Sequence, residues 1–249
     1  MVDTARCALT NIPEAIQHPR ELALGRSWSV LSGSHLTFTA SEDILANGHG
    51  GSTNQMRDAM TAKDQLRFDL RKIRQTFVKK HNHQDSFDVM THHLDVLLND
   101  ATIVASYLKF GSEVDANAIL ERAHHKAIAT ALPHVAARNA PMTFKRWQPG
   151  NALSMAAFGF QQPLDDAPDI IPDLIIVPLV GFDRMINRLG QGAGHYDRVF
   201  PKYPSALRIG LAWSCQELAT VPTDSWDVPL DAVLTEKEWI VGTQSRIGT

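Results

Sequence analysis

Apolar and polar positions follow two different periods along most of this chain. Between residues 66 and 77, leucine, isoleucine and phenylalanine recur at intervals of three and four, which places them on one stripe of a helix. The run LIIVPLV at 174–180 is continuously apolar and too short for a typical helix. Its β-branched residues favour a strand that is buried on both faces.

Patterns of these two kinds alternate from about residue 56 onward and predict an α/β fold. The predicted elements are helices near 56–80, 85–98, 115–126 and 150–157, a helix after residue 194, and strands near 102–107, 128–132, 142–147, 174–179, 207–213 and 231–235. Such alternation predicts a mostly parallel sheet with helices on both faces. Right-handed crossovers place the loops that follow the strands at one edge. We therefore expect Glu113, residues 188–198 and Asp227 to lie together there.

Residues 1–55 differ from this pattern, because they mix glycine, serine, threonine and asparagine without sustained periodicity. We expect an N-terminal extension that is partly disordered or lies over the domain surface. Residues 56–249 are then a single domain.

A glycine-rich segment follows the central apolar run. Gly190, Gly192 and Gly194 lead directly into the sequence YDR at 196–198. Each glycine in an ordered element costs roughly 0.5 to 1 kcal/mol of backbone entropy relative to alanine, so this density indicates that the backbone approaches something closely. Open α/β sheets bind phosphates in such loops. The spacing matches neither a P-loop nor a dinucleotide fingerprint, so a connection without a ligand stays open on spacing alone. Residues 190–194 are called the glycine loop below.

Charged residues surround the glycine loop and change this picture. They are Asp183, Arg184, Arg188, Asp197 and Arg198. Arginine donates forked hydrogen bonds to phosphate oxygens, and a carboxylate can hold the Mg²⁺ that bridges them. A nucleoside triphosphate fits this mixture of signs better than a plain anion does. On the first predicted helix, Lys63, Arg67 and Arg71 recur every four residues, and a solvated basic face is the plain interpretation of that stripe.

Composition excludes several classes of protein. The chain has 249 residues, of which 44% are hydrophobic, and a formal net charge of -3, which argues against a non-specific nucleic-acid binder. Its two cysteines, Cys7 and Cys215, provide neither a disulfide framework nor a cysteine zinc site. No apolar run approaches the roughly 20 residues that cross a bilayer, and the first residues lack the apolar core of a secretory signal. We expect a cytoplasmic protein that binds neither nucleic acid nor membrane.

The segment FDRMINRLGQGAGHYDR, which follows DLIIVP, resembles the 5-formyltetrahydrofolate cyclo-ligases, also called 5,10-methenyltetrahydrofolate synthetases. Other segments resemble that family in the same order; they are KDQLRFDLR at 63–71, VASYLKFGSEVDANAIL at 104–120, MTFKRWQPGNALSMAAFGFQQP at 142–163 and RIGLAWSCQELATVPTDSWDVPLDAVLTE at 208–236. The resemblance covers roughly residues 59–238. It implies the three-layer, cyclo-ligase-like fold (NagB/RpiA/CoA-transferase-like), a monomer or homodimer, and ATP-dependent cyclisation of 5-formyltetrahydrofolate to 5,10-methenyltetrahydrofolate with release of ADP and phosphate.

The resemblance also implies roles for individual residues. The implied ATP-binding positions are Lys63, Arg67, Arg188, Leu189, Gly190, Gln191, Gly192, Ala193, Gly194, His195 and Tyr196, of which Arg188 and Tyr196 are also catalytic. The implied folate-binding positions are Leu108, Glu113, Gln191, Gly192, Ala193, Gly194 and His195. Asp197 and Asp227 match acids that hold Mg²⁺, and the Glu113 carboxylate would accept hydrogen bonds from the pterin.

These residues also have ordinary structural interpretations. Asp197 could cap the next helix, Asp227 could be a turn residue between two prolines, and Glu113 could complement a helix dipole. Tyr196 could fill the core, and His195 is a candidate for proton movement near neutral pH.

Several positions depart from the family pattern. They are Ala116, Gln162, Gln191, Ala193, His195 and Trp226. Because some of them border the implied folate pocket, two alternatives stay open: a folate-binding or regulatory relative with weak turnover, and an ATP-dependent enzyme that acts on another small molecule.

Overall fold

The computed structural model describes residues 61–81, 87–137, 140–157, 159–243, 245 and 247. The predicted extension over 1–55 lies outside these residues, as does the predicted start of the first helix at 56–60. The helices are α1 (Ala62–Lys80), α2 (Phe87–Asp100), α3 (Asn117–His125) and α4 (His195–Val199). The strands are β1 (Ile103–Ala105), β2 (Ala129–His134), β3 (Thr143–Arg146), β4 (Leu153–Met155), β5 (Gln161–Pro163), β6 (Leu174–Pro178), β7 (Gly181–Phe182), β8 (Arg188–Leu189), β9 (Leu207–Leu211), β10 (Ala232–Leu234) and β11 (Trp239–Val241).

Among the described residues, seven strands form the main sheet in the order β11-β10-β9-β6-β1-β2-β3. The five inner strands are parallel, and the edge strands β11 and β3 are antiparallel to their neighbours. The prediction of a mostly parallel sheet is confirmed. From β1 the chain continues outward to β2 on one side and to β6, β9 and β10 on the other, so the strand order reverses between β1 and β6. Ligands bind outside the carboxyl ends of strands at such a switch point.

The central strand β6 is buried on both faces, as its apolar run predicts. Leu174 and Ile176 pack into the hydrophobic cluster that includes side chains of α2 and α3. Ile175 and Val177 pack into a second cluster that includes side chains of α4 and of the 3-10 helix after it. Each such buried side chain contributes about 1.5 to 3 kcal/mol relative to an exposed one. The alternation confirms helices on both faces of the sheet.

Helix α1 lies against the loops that follow β6 and β8. Its first turn is capped by Thr61, whose Oγ1 accepts a hydrogen bond from the backbone N–H of Asp64 at 3.2 Å. Leu70 is buried in a small cluster with Val180, Leu189 and Val221. This packing brings the basic stripe of α1 to the glycine loop. Of the helices in the described ranges, none is long and apolar enough to cross a membrane.

The predicted helix at 150–157 is wrong. Residues Leu153–Met155 form β4, which pairs in antiparallel fashion with Gln161–Pro163 of β5. Gly150 and Gly159 flank the turn-rich region with φ values of +92° and +81°, which L side chains rarely adopt. The apolar run between them resembles a helix only when the pairing with β5 is ignored.

Two features near the chain's end were not predicted in their observed form. The helix after the glycine loop exists, but α4 has only five residues and passes into a 3-10 helix, Phe200–Lys202, with proline in its first turn. Strand β11 had no counterpart in the sequence prediction. The other predicted helices and strands are confirmed, with ends that shift by a few residues.

Candidate active site

A pocket of about 340 Å³ opens where the loops after β1 and β6 meet, within the size range of small-molecule sites. One side is an apolar wall formed by Tyr107, Leu108, Phe110, Met142 and Phe160. The opposite side is formed by Arg188, Asp197 and six residues between them, which are Gly190, Gln191, Ala193, Gly194, His195 and Tyr196. Glu113 lies in the lining as well. The predicted meeting of Glu113 with residues 188–198 at one edge of the sheet is confirmed.

Two glycines in the loop have backbone conformations that favour glycine. Gly192 has φ +111° and Gly194 has φ +62°. A Cβ atom on Gly192 would lie 3.7 Å from the guanidinium carbon of Arg67, and one on Gly194 would lie 3.0 Å from Nη1 of Arg198. The density of glycines in the sequence predicted that this backbone approaches another group closely. In this structure, the groups that it approaches are the side chains of Arg67 and Arg198.

The arginines of α1 hold the glycine loop by its carbonyl groups. Arg67 donates from Nε to the Gly190 carbonyl at 3.0 Å and pairs through Nη1 with Asp64 at 2.6 Å. Arg71 donates from Nη2 to the Gln191 carbonyl at 3.1 Å and to its Oε1 at 2.8 Å. The basic stripe is thus not a freely solvated face. A direct contact of Arg67 with phosphate stays a prediction.

Arg188 is the buried cation of the pocket. Its side chain is 3% exposed, and Nη2 donates to Oδ1 of Asp197 at 2.5 Å. Its guanidinium carbon lies 5.6 Å from the ring centre of Tyr196 and 5.2 Å from that of Phe200. Nε and Nη1 have no hydrogen-bond partner among the described residues. Burial lowers the pKa of Arg188, and the charge of Asp197 opposes this shift.

Unpaired buried donors are costly. Nε and Nη1 of Arg188 carry three N–H bonds between them. A ligand with oxygen acceptors would satisfy these donors, and phosphate oxygens meet that requirement.

The two predicted Mg²⁺ ligands each have a basic partner in the protein. Asp197 bonds Arg188 and also accepts from the backbone N–H of Val228 at 3.3 Å. Asp227 Oδ2 accepts from Lys63 Nζ at 2.8 Å and from the backbone N–H of Asp224 at 2.8 Å. Burial raises the pKa of Asp227, but the hydrogen bonds from Lys63 and Asp224 outweigh it, so the pKa lies below its ordinary value.

The donor set fits Mg²⁺ held together with a nucleotide. Mg²⁺ is commonly bound through one or two carboxylates plus phosphate oxygens and water. Asp197 and Asp227 supply two carboxylates from neighbouring segments. These segments are joined by the hydrogen bond from the backbone N–H of Val228 to Asp197. Within the described ranges no group of three or more metal-ligating side chains occurs. The remaining ligands would therefore come from phosphate and solvent.

Glu113 is held between the two sides of the pocket. The residue is 8% exposed. Its Oε2 accepts from the backbone N–H of Phe110 at 3.0 Å, and its Oε1 accepts from Nε2 of Gln191 at 2.5 Å. Burial raises the pKa of Glu113, while these hydrogen bonds and the charge of Arg74 act in the opposite direction. The carboxylate thus retains acceptor capacity at the pocket wall.

Sequence reasoning missed Arg74, which forms a hydrogen bond with the loop that carries Glu113. Arg74 is buried, donates from Nε to Ser112 Oγ at 3.0 Å, and donates from Nη1 to the Leu179 carbonyl at 3.2 Å. Its signal in the sequence is its position four residues after Leu70, on the buried stripe of α1. A charged residue on that stripe indicates a buried partner.

Of the other predicted site residues, some line the pocket, namely Leu108, Ala193, Gly194, His195 and Tyr196, and some lie outside its lining, namely Lys63, Arg67, Leu189, Gly192 and Asp227. Leu108 belongs to the apolar wall, and His195 and Tyr196 lie at the start of α4. Burial raises the pKa of Tyr196 above its ordinary value, so the phenol stays protonated. Burial, and then the charge of Arg198, lower the pKa of His195, so the neutral imidazole is favoured.

Other charged residues near the glycine loop have structural roles. Arg184 pairs with Glu217 at 2.6 Å and with Glu238 at 2.8 Å at the surface. Asp183 is buried and accepts from the backbone N–H groups of Met185, Asn187 and Val221. These contacts shape the β7–β8 turn. Neither residue lines the pocket.

Three departures from the family pattern lie away from the pocket lining, namely Ala116, Gln162 and Trp226. Gln162 is buried and accepts from the backbone N–H of Val135 at 3.0 Å, so it stabilises the end of β2. Trp226 is 68% exposed. Among the departures, Gln191, Ala193 and His195 do line the pocket.

Fold and pocket together define a class: an α/β protein with a pocket at the switch point of its sheet, lined on one side by a buried arginine and a glycine-rich loop and on the other by apolar and aromatic side chains. The family model of the 5-formyltetrahydrofolate cyclo-ligases matches residues 59–236. The chain belongs to that enzyme family, and the resemblance drawn from its motifs is confirmed.

Individual relatives agree with this assignment. The chain is 30% identical over 181 residues to the 5-formyltetrahydrofolate cyclo-ligase of Haemophilus influenzae, which covers 69% of this chain and 96% of that protein. It is 34% identical over 149 residues to the Escherichia coli K12 protein of the same name, and the match covers 56% of this chain and 81% of that protein. The solved 5,10-methenyltetrahydrofolate synthetase of Aquifex aeolicus superposes with a TM-score of 0.63 at 28% identity, over 75% of this chain and 96% of that one.

Proposed function

We propose that this protein is a 5-formyltetrahydrofolate cyclo-ligase that converts 5-formyltetrahydrofolate and ATP into 5,10-methenyltetrahydrofolate, ADP and phosphate. The observation that carries the proposal is the buried Arg188, which has donor atoms without a partner among the described residues and lines the same pocket as Glu113. Membership of the family and the names of the relatives support the reaction. Residues 56–249 would form one ATP- and folate-binding domain.

The chemistry requires activation of an amide. The formyl oxygen leaves poorly, and the formyl carbon resists attack by N10. Transfer of the γ-phosphoryl group to that oxygen gives an iminium phosphate and ADP. N10 then attacks the carbon, the C–O bond breaks, phosphate departs, and the N10 proton is lost. Such a reaction depends on positioning and charge neutralisation rather than on a protein nucleophile.

The phosphate side of the pocket is suited to this transfer. Arg188 would donate to oxygens of the transferred group, and Tyr196 packs near its guanidinium and restrains it. Backbone amides of the glycine loop and of Leu189 would direct the phosphates. Lys63 would exchange its bond with Asp227 for one with phosphate when the nucleotide binds.

Asp197 and Asp227 would hold Mg²⁺, which neutralises phosphate charge when bound.

The opposite side is suited to the pterin. Glu113 would accept from the amino and amide groups of the ring, since an ionised carboxylate is an acceptor only. Tyr107, Phe110 and Phe160 of the apolar wall offer flat surfaces against the ring. Leu108, His195 and the glycine loop would complete the folate site.

The decisive experiment mixes the purified protein with 5-formyltetrahydrofolate and Mg-ATP. We expect near-ultraviolet absorbance of the methenyl product to grow, with one ADP released per product, and no product without ATP. Folate binding without product would instead indicate a regulatory relative. Faster ADP release with a different small molecule would identify another substrate.

A further inference from the structure

One side chain joins the two sides of the pocket. Gln191 belongs to the glycine loop, and its Nε2 donates to Oε1 of Glu113 at 2.5 Å, across 78 positions of sequence. The other atom of the same amide, Oε1, accepts from Arg71 Nη2 at 2.8 Å. Arg71 also bonds the Gln191 carbonyl at 3.1 Å. Since a neutral amide has one end that donates and one that accepts, this arrangement fixes which end faces Glu113.

The contact matters because Glu113 has few other partners. Its Oε2 bonds the Phe110 backbone N–H, and Gln191 supplies the side-chain donor to Oε1. Without that donor the carboxylate would be buried with one oxygen uncompensated, which is unfavourable for its ionised form. The backbone of the glycine loop is held separately by Arg67 and Arg71. The Gln191 side chain is therefore not required to hold the loop in place.

We propose that Gln191 is a positioning residue for the folate reaction: anchored by Arg71, its amide holds Glu113 ionised and directed into the pocket to receive the pterin. This inference rests on the proposed function. Each carboxylate oxygen has two lone-pair directions, so Glu113 accepts from Gln191 and from the ligand at the same time.

The charges around Glu113 set the expected pH behaviour. Arg71 and Arg74 of α1, Tyr107 at the end of β1 and Tyr196 of α4 all interact with it electrostatically. Burial raises the pKa of Glu113, and the Gln191 bond lowers it. Removing the bond therefore raises the pKa further. Folate binding through the ionised carboxylate would then be lost at a higher pH on acidification.

Two variants test the hydrogen bond that Gln191 donates to Glu113 separately from the one that it accepts from Arg71. Gln191→Met removes the amide and keeps the chain length. Gln191→Glu keeps the shape and the acceptor for Arg71 but faces Glu113 with a like charge, which raises the carboxyl pKa. We expect the KM for 5-formyltetrahydrofolate to rise on the order of 10-fold in Gln191→Met and more in Gln191→Glu. The KM for ATP should stay within about twofold of the wild-type value, because Arg67 and Arg71 still bind the backbone carbonyl groups of the glycine loop.

The acid limb of the pH profile for kcat/KM of folate should move to higher pH in both variants, and further in Gln191→Glu. The matched control is Gln65→Met on α1, whose amide bonds only Asp69 at the surface among the described partners, at 3.1 Å. That variant should leave both KM values and the acid limb unchanged.

The outcomes distinguish the two proposals. If the wild-type protein makes no methenyl product, the proposed function fails. If the wild type is active and Gln191→Met keeps the wild-type folate KM and acid limb, the role of Gln191 alone is refuted. An equal rise in both KM values at every pH would also refute it, since that pattern means general loosening of the loop. Thermal melting followed by circular dichroism confirms that each variant is folded.

Discussion

The two ends of the pocket compensate their buried polar groups by different means. At the charged end, Arg188 and Asp197 line the pocket, and the Lys63–Asp227 pair lies next to them. Opposite charges pair with one another in both cases. The other end comprises Glu113 and the apolar wall and is called the pterin end after its proposed ligand. Here a single carboxylate is held by two neutral donors. Both arrangements lower the cost of desolvation.

The difference has a functional consequence. Ion pairs at the charged end can exchange partners when a phosphate or a metal ion arrives, since the ligand brings its own charge. Neutral donors at the pterin end leave Glu113 with its charge and its free lone pairs. We infer that the charged end reorganises on binding, whereas the pterin end is largely preformed.

The largest expected effect comes from Arg188→Met at the charged end. The change keeps the chain length but removes both spare donors and leaves Asp197 without its cation. We expect kcat/KM to fall about a thousand-fold, within the range for loss of a transition-state donor or an arginine. Steady-state formation of the methenyl product measures it.

Arg184→Met is the matched control, because Arg184 lies four residues earlier and pairs only with surface glutamates in the described structure. Exposed ion pairs contribute little, so activity should stay within about twofold. Equal losses in the two variants would mean that Arg188 acts through folding, which a shift of the melting temperature would reveal.

Asp197→Asn tests the exchange of partners at the charged end. The amide keeps the shape of the side chain but binds Mg²⁺ more weakly, and it no longer neutralises Arg188. We expect turnover to fall about a hundred-fold, with a higher Mg²⁺ concentration needed for half-maximal rate. Activity titrated with Mg²⁺ at saturating ATP measures both effects.

Asp169→Asn, at an exposed carboxylate that faces Lys145, serves as the control and should titrate like the wild type. An unchanged Mg²⁺ requirement in Asp197→Asn would remove this residue from the metal site.

The charged end was the more predictable of the two, for a physical reason. Arg188, the glycine loop and Asp197 occupy ten consecutive positions, so their chemistry is visible as one polar motif after one apolar run. The strand pattern also predicted which loops meet at the sheet edge. What the pattern could not give is the partner of each charge: Arg67 bonds a loop carbonyl, and Lys63 bonds two aspartates.

The pterin end was less predictable because its side chains come from distant segments. Tyr107, Met142 and Phe160 are apolar residues with no spacing in common, and only the fold brings them together. The wrong helix at 150–157 has the same origin, since β4 is a strand through its pairing with β5 rather than through its own period. The family resemblance identified Glu113 as a site residue, whereas its hydrogen-bond partners Phe110 and Gln191 are visible only in the structure.

At the pterin end, Glu113→Gln should act on folate rather than on ATP. Burial raises the pKa of Glu113, so the carboxyl takes up its proton at a higher pH than an ordinary glutamate does. We expect folate binding by the wild type to weaken on acidification through that pH. The variant should raise the folate KM about tenfold at neutral pH and abolish that acid limb. Folate KM measured between about pH 5 and pH 8 shows both effects.

Glu121→Gln on the exposed face of α3 is the control and should keep the wild-type profile. An acid limb that persists in Glu113→Gln would assign it to another group.

The smallest expected effect belongs to the rim of the apolar wall. Phe110 lines the pocket although it is 68% exposed, so Phe110→Ala removes one flat contact and leaves the core intact. An aromatic contact of this kind is worth roughly 0.5 to 1.5 kcal/mol, which corresponds to a rise in folate KM of about three- to tenfold. Phe68→Ala, on α1 beneath Lys72, makes the same change away from the pocket and should leave the folate KM unaltered. If Phe110→Ala instead weakened ATP and folate equally, the pterin end would not be the preformed surface that its neutral contacts imply, and the contrast between the two ends would be lost.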